Sequence, residues 1–426
     1  MKILICFLFL LFSRVGFAET TTIGEIKIIG LTKTSRTNFL NILAIGEGDT
    51  ATREDIDLAV QRIKNIRLFN GVEYSVRQVE NKLFLTVEAE DRWTTIPIAK
   101  FSSGGGISQT VLGLYDSNIA GSLYEAGLQF ERLGGTNSFV SWLKKHRIGA
   151  LPLTLDFQLW STNILRTLYD QESSNLFISG GYLEQRENLN ALALWEFNND
   201  LRIRVGFEIG RRKFNDDILP EMLSDTLKEE QIIPSNLSSQ LVSFNLGLGS
   251  LSFGDFLAEG TSLDFDIRLG RFNTSEDATD KIYSEQSVRL ITSKILTPRF
   301  TIAARAEFVQ NNGLHPSFDY FLGGLDKIRG YSDGRFRSSR YALLNSEFRG
   351  ILASFGGTVL QSVAFYDLLS LGRGKHGFAK ADGASIGVGG RIIIPRIYRF
   401  ILRLDYAKSL IAEDPQTISF GVQQFF

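Results

Sequence analysis

Cysteine is almost missing from this 426-residue chain: the single thiol, Cys6, lies in an apolar leader. Once that leader is removed, disulfides, cysteine-based metal sites and thiol catalysis are all excluded. The three histidines, His146, His315 and His376, stand far apart and give no metal-ligand spacing. No metal or other cofactor is expected. Beyond the leader, no stretch approaches the ~20 apolar residues that a spanning helix needs. A mean hydropathy of essentially zero is likewise too low for a helical membrane protein. Charge of one sign is lacking too, since without Lys2 and Arg14 there are 44 basic and 47 acidic groups, a formal charge of −3. Nothing in that balance calls for nucleic acid.

What is abundant points elsewhere. Proline is scarce, at 8, against 33 Phe and 40 Gly. A membrane β-barrel spreads its apolar surface over every second residue, which reconciles an aromatic and glycine-rich chain with a neutral average hydropathy. The amino terminus fits export: Met1-Lys2 is basic, Ile3 to Phe12 is unbroken apolar sequence, and Gly16-Phe17-Ala18 ends in small residues. Residues 1–18 therefore read as a cleaved secretory signal. An anchor helix is the alternative, but at ~1.5 Å per residue the apolar run would cover only about 15 Å, half a bilayer core.

Two domains follow, divided near Trp93. Residues 22–91 read as strand, two helices and two strands. Ile23 to Gly30 alternates into a glycine, and Thr37 to Ala44 and Arg53 to Ile66 carry helical spacing, the latter with Ile56, Val60 and Ile63 on one face. Thr52 can cap that helix with Asp55 three residues on. Gly71–Val76 and Lys82–Glu88 then supply a hairpin across Glu80-Asn81.

From Thr94 the period changes. Leu201 to Gly210 puts Ile203, Val205, Phe207 and Ile209 on one face and Arg202, Arg204 and Glu208 on the other; Leu263–Leu269 and Phe400–Tyr406 repeat that polarity. A soluble sandwich would have to keep its inward face dry, whereas a barrel puts lipid outside and a polar lumen within. About sixteen such segments fit into residues 94–426, with Ile96 to Leu114 taken as one long first strand. The fold class is thus mainly β, a 16-stranded antiparallel transmembrane barrel preceded by a small α+β domain. Two interruptions read as external loops: Asn215 to Asn236, and 311–340, which falls between the eleventh and twelfth strands. Trp142, Trp160 and Trp195 suit either interfacial girdles or ordinary packing.

The loop 311–340 carries Ile328-Arg329-Gly330-Tyr331. This resembles the [V/I]-R-G-[F/Y] motif of the BamA/TamA superfamily, the bacterial surface antigen family. The first domain, with Ile28-x-Gly30, Gly46-Glu-Gly-Asp49 and Leu68-Phe-Asn-Gly-Val72, resembles that family's POTRA module, in one copy. The resemblance implies that the loop folds back into the barrel and that its arginine meets an inward carboxylate. Val363 to Leu369 resembles the family's F-x-D-x-G strand, placing Phe365 and Asp367 inward, with Leu369 standing where the pattern has glycine. Asn345-Ser-Glu-Phe-Arg349 resembles its N-x-E-x-R strand, making Glu347 and Arg349 further braces, although any strand facing a polar lumen shows such residues. The alternative is a solvated loop and an Asp367 that merely lines the lumen. At the C-terminus, Ile418, Phe420, Val422 and Phe426 share a face, resembling the signal that barrels present to the assembly machinery; Gln424 interrupts it.

Gly383-Ala-Ser-Ile-Gly387 matches a nucleophile elbow by letter only. It continues as strand, and every histidine precedes Ser385, so no enzyme is expected. The resemblance implies a factor in the outer membrane of a Gram-negative-type bacterium with its POTRA domain in the periplasm. Its partners would be unfolded or nascent outer-membrane or secreted proteins, the lipid bilayer, and periplasmic chaperones or lipoproteins. Clients would add a strand to the POTRA domain and pass a seam between the first and last barrel strands. A two-partner-type secretion pore for a dedicated client and a passive porin or structural barrel remain as alternatives.

Overall fold

The computed structural model describes residues 20–104, 107–169, 178–216, 233–254, 256–372, 377–378, 380–411 and 417–422. The leader, most of the loop at 215–236 and Phe426 lie outside these.

The first domain contains β1 (Thr21–Ile29), α1 (Arg36–Leu43), the two-residue β2 (Thr50–Ala51), α2 (Arg53–Asn65), β3 (Phe69–Val79) and β4 (Lys82–Asp91), with sheet order β2-β1-β4-β3. Ser35 caps α1, and Thr52 and Asp55 form a full capping box on α2. Hydrogen bonds from the Thr52 amide and hydroxyl hold the Asp55 carboxyl below its usual range. Ile56, Val60 and Ile63 turn into a core with Ile26, Phe39, Phe69 and Leu85. Glu80 adopts a left-handed conformation at the turn between β3 and β4.

The second domain is a 16-stranded, next-neighbour antiparallel sheet. Its first four strands are ten residues each: β5 (Thr95–Gly104), β6 (Ile107–Asp116), β7 (Tyr124–Leu133) and β8 (Thr136–Lys145). A taller wall follows in β9 (Leu153–Tyr169), β10 (Ile178–Glu196), β11 (Leu201–Asn215), β12 (Leu237–Phe253), β13 (Ala258–Thr274), β14 (Lys281–Thr297) and β15 (Phe300–Asn311). Inside the next connection lies a small hairpin, β16 (Tyr320–Leu322) with β17 (Phe336–Ser338). The sheet resumes with β18 (Arg340–Phe355), β19 (Thr358–Leu371), β20 (Gly383–Ile393), β21 (Ile401–Ile411) and β22 (Thr417–Val422).

One expected strand is corrected. Ile96 to Leu114 is not a single span but the hairpin β5–β6, paired from Thr95 opposite Asp116 to Gly104 opposite Ile107. The run Ser102-Ser-Gly-Gly-Gly106 breaks the apolar alternation there, as turn-type composition does.

The sheet curls on itself. The Trp93 amide, just before β5, donates to the Arg396 carbonyl at 2.8 Å, and the Tyr398 amide returns a bond to Trp93 at 2.9 Å. The chain entering the first barrel strand therefore meets the turn between β20 and β21. Outward positions are apolar and exposed, as at Val205, Phe207 and Ile209 or Ile267 and Leu269. Inward positions carry Arg202, Glu208, Asp264, Asp266 and Arg268, the inversion a lipid-facing wall requires. Trp195 shares the outward face and packs on Phe197. Trp142 instead turns inward, donates to Glu125 at 3.0 Å and lies on Gly127, where a Cβ would collide with its ring. It belongs to no lipid-facing girdle.

The first domain sits across one mouth of the barrel. Asn38 donates to Gly121 between β6 and β7, Asn199 between β10 and β11 donates to Leu58, and the Phe253 amide donates to Asn65. Tyr398, from the turn before β21, enters the first domain's core. Gly121 has φ +70° and approaches Lys33 so closely that a Cβ would strike its carbonyl. Within the first domain Asp91 fixes the segment that meets the barrel, accepting from the amides of Thr32 and Lys33, both at 2.8 Å, and from the Thr34 hydroxyl, which in turn accepts from Asn118 at 2.8 Å. Burial pushes its carboxyl up, but those hydrogen bonds outweigh it and hold Asp91 below the usual range.

Candidate functional site: a loop bolted inside the barrel

The connection from Asn311 to Arg340 leaves the eleventh barrel strand, enters the lumen and rejoins the wall as the twelfth. Its second half reaches β15 and β18–β21. Arg329 is the centre of that contact, its side chain wholly shielded from solvent. Its Nε and Nη2 donate to the two oxygens of Asp367, both at 2.8 Å, and its backbone amide adds a bond of 3.1 Å to Oδ2. Nη1 donates to Glu347 at 2.6 Å, and the guanidinium lies 3.5 Å from the centroid of the Phe365 ring. A planar fork that meets two carboxylates and an aromatic face uses what distinguishes arginine from lysine.

Neighbouring charges complete the arrangement. Arg349 donates to Glu347 Oε2 at 2.8 Å through Nε, Arg391 Nη2 stands 3.7 Å from Oε1, and Arg391 Nη1 donates to Asp405 at 2.6 Å. Arg329, Arg349 and Arg391 thus face Glu347, Asp367 and Asp405, three charges of each sign. Every member is at least nine-tenths buried. Pairing and multiple hydrogen bonds are what make such burial tolerable.

The flanking motif residues fill sockets. Ile328 is buried with Tyr331, Phe336, Tyr341, Leu343 and Leu369. Tyr331 donates to the carbonyl of Ala384 at 2.8 Å and also reaches that of Ile411, while accepting from the Ala384 amide. Gly330 has φ +83°, and a Cβ there would come within 3.2 Å of Ser385 and 3.3 Å of Ala407, so both conformation and space call for glycine. Leu369, where the resemblance expected glycine, closes this socket from below. Arg403 donates to the Leu325 carbonyl at 2.8 Å, and Leu325 itself rests on Gly421 of β22, where there is no room for a side chain.

The first half of the loop is held differently. Phe318 stacks on Tyr283 at 4.1 Å and meets Phe272 edge-on at 5.2 Å. Tyr320 donates to Glu285, Arg166 lies over Phe321, and Arg212 donates to the Ser317 carbonyl. The loop therefore spans the lumen between two walls.

The structure brings together Ile328, Arg329, Gly330, Tyr331, Phe365, Asp367, Glu347 and Arg349. It places Phe420 and Val422 on the exposed outer face of β22, apart from that cluster. Sequence reasoning did not single out Arg391 and Asp405, although their inward parity marked them. Nor did it single out Arg305, whose guanidinium bonds Asn345 and the Asp326 carbonyl, or the aromatic contacts of Phe318. Gly383–Gly387 is plain strand, with no turn or helix behind Ser385. No group of metal-ligating residues occurs among the described residues.

With this geometry in view, comparisons with known proteins are informative. Residues 21–91 match the POTRA family model, described as a surface antigen variable number repeat. No curated protein matches the sequence. Among solved structures, CdiB from Escherichia coli is similar with a TM-score of 0.62 at 16% identity, over 94% of this chain and 76% of that one. BamA from Haemophilus ducreyi lacking POTRA domains 1–3 is similar at 0.53 and 13% identity, over 94% and 83%. CdiB from Acinetobacter baumannii gives 0.53 at 14% identity, over 94% and 72%.

Proposed function

We propose that this chain, which has the fold of the BamA and CdiB barrels with a single POTRA domain, is a non-enzymatic outer-membrane factor that inserts or translocates polypeptide clients. The POTRA domain would face the periplasm and the loop 311–340 the far side. The observation that carries the reading is the state of the sheet's two ends. Among the described residues, β5 pairs only with β6 and β22 only with β21. Unpaired strand edges are expensive in lipid, so the two ends of this sheet are where a client strand would be templated.

Two further features support it. β3 is an eleven-residue edge strand of the POTRA sheet, to which a client strand would add through main-chain bonds. The loop's Leu325 leans on Gly421, which couples the bolted loop to the last strand. A passive porin fits less well, because the POTRA domain lies across one mouth and the loop crosses the lumen.

The test is photocrosslinking from Ile98 in β5 and Ile418 in β22 in cells making abundant outer-membrane proteins. Capture of nascent barrel clients at both positions is expected; a clean negative there would sink the insertion reading. Planar-bilayer conductance separates the porin: the wild-type protein should show no steady open pore, and Arg329→Ala should raise its conductance.

A further inference from the structure

Two lumen cavities have opposite electrostatic character. One, of about 450 Å³, is lined by Arg202, Arg204, Arg268 and Arg289 against Glu208, Asp264, Asp266 and Glu285, and so is balanced. The other, of about 220 Å³, lies at the POTRA-side mouth and, among the described residues, is lined by three arginines and no carboxylate. Of the three, Arg349 is committed to Glu347. Arg67 and Arg399 have no carboxylate partner among the described residues.

Both of those arginines occupy left-handed backbone, with φ of 62° and 50°. Non-glycine residues pay for that conformation, and such strain concentrates where a side chain must be aimed. Arg67 leaves the end of α2, reaches the barrel and lies over Phe253 at 4.7 Å. Burial, with the nearby charges of Arg399 and Arg92, pulls its pKa down to about 10. In the same lining, the Thr301 hydroxyl and the Gln361 carbonyl oxygen are buried with no hydrogen-bond partner among the described residues. Unsatisfied polar atoms beside unpaired cations describe a site built for something polar and anionic. Phe253, Phe256, Ile393 and Ile401 supply an apolar side to it. Thr301 and Ala303 point inward while Ile302 between them points out, so this cavity opens to the lumen and not to lipid.

We propose that this cavity is a receptor for a carboxylate-bearing stretch of extended polypeptide. Arg67 and Arg399 take the carboxylate, Thr301 and Gln361 take main-chain groups, and Phe253 and Ile401 hold the adjacent apolar side chain. The proposal rests on the client-handling reading above and names the chemistry by which a client is recognised before it enters the barrel. An inorganic anion would leave the apolar side unused, and a bilayer lipid cannot reach an inward-facing wall.

The test is fluorescence anisotropy of the full chain in detergent micelles with a labelled, amidated pentapeptide, Val-Ser-Phe-Asp-Val, and its Asp-to-Asn counterpart. The acidic peptide should bind about tenfold or more tightly than the neutral one, as a charge-assisted contact implies. Arg67→Gln and Arg399→Gln should each erase that preference, and Arg67→Lys should retain part of it. Should Arg67→Gln fail to fold, Arg399→Gln on its exposed turn gives the same reading. Equal binding of the two peptides, unchanged preference in both glutamine variants, or full displacement by inorganic phosphate or phosphatidylglycerol would each overturn the proposal. Client capture at β5 and β22 without peptide discrimination sinks only the cavity; discrimination without capture sinks only the seam.

Discussion

The loop 311–340 is fastened at two places that solve the same problem with different chemistry. Around Phe318 it is held by aromatic rings on the tall wall at β13 and β14, and around Arg329 by ion pairs on β18 and β19. Aromatic contacts degrade gradually, since losing one ring leaves the others packed. A desolvated ion pair fails abruptly, because removing one partner strands the other without water. Its net contribution when intact is small, yet its loss is costly. Loss of one partner should therefore release the Arg329 anchor, the latch, far more sharply than loss of one ring releases the Phe318 anchor.

Asp367→Ala should break this contrast most strongly. It leaves Arg329 buried with only part of its charge met, at a cost of about 3–5 kcal/mol. Limited chymotrypsin digestion of the protein in micelles reads it out: cutting after Tyr331 should rise at least about a hundredfold, with little change after Phe321. The double variant Arg329→Met with Asp367→Leu should restore much of the protection, since an apolar pair of similar volume needs no compensation. Equal cutting in Asp367→Ala and wild type would mean that the latch is no latch.

Phe318→Ala comes second, at roughly 3 kcal/mol, the low end for a buried phenylalanine, because Arg212 and His315 at its margin can take up water. Cutting should now rise after Tyr320 and Phe321 while Tyr331 stays protected. Release of both sites together would show one cooperative loop and erase the distinction between the anchors.

The two anchors also differ in how far they could be read from sequence. The ionic one has a local signature: four contiguous residues, plus a strand parity that sends Asp367 and Phe365 inward. The aromatic one has none, because Phe318, Phe272 and Tyr283 meet only after distant segments come together, and a phenylalanine among 33 draws no notice. Leu369 sits between these cases. Its departure from the expected glycine was visible, but its place beneath Ile328 and Tyr331 required the fold. The barrel was legible because alternation is a local property repeated in many strands, and its one misread span, Ile96 to Leu114, lies where a glycine run interrupts that alternation.

The smallest effect should come from Lys327→Met, two residues from the latch. Lys327 donates to Glu307 at 3.0 Å and to the Tyr341 hydroxyl at 3.0 Å, so by charge and distance it looks equivalent to Arg329. It differs in solvent, its side chain being 32% exposed where that of Arg329 is 0%. Water can therefore replace its contacts, and Glu307 keeps Arg289 at 3.4 Å. The expected loss is about 1 kcal/mol or less, a change in Tyr331 cutting of no more than about fivefold. If Lys327→Met instead matched Asp367→Ala, charge and not burial would set the strength of the anchor, and the sharp release expected at Arg329 would belong to the whole Lys327–Tyr331 segment.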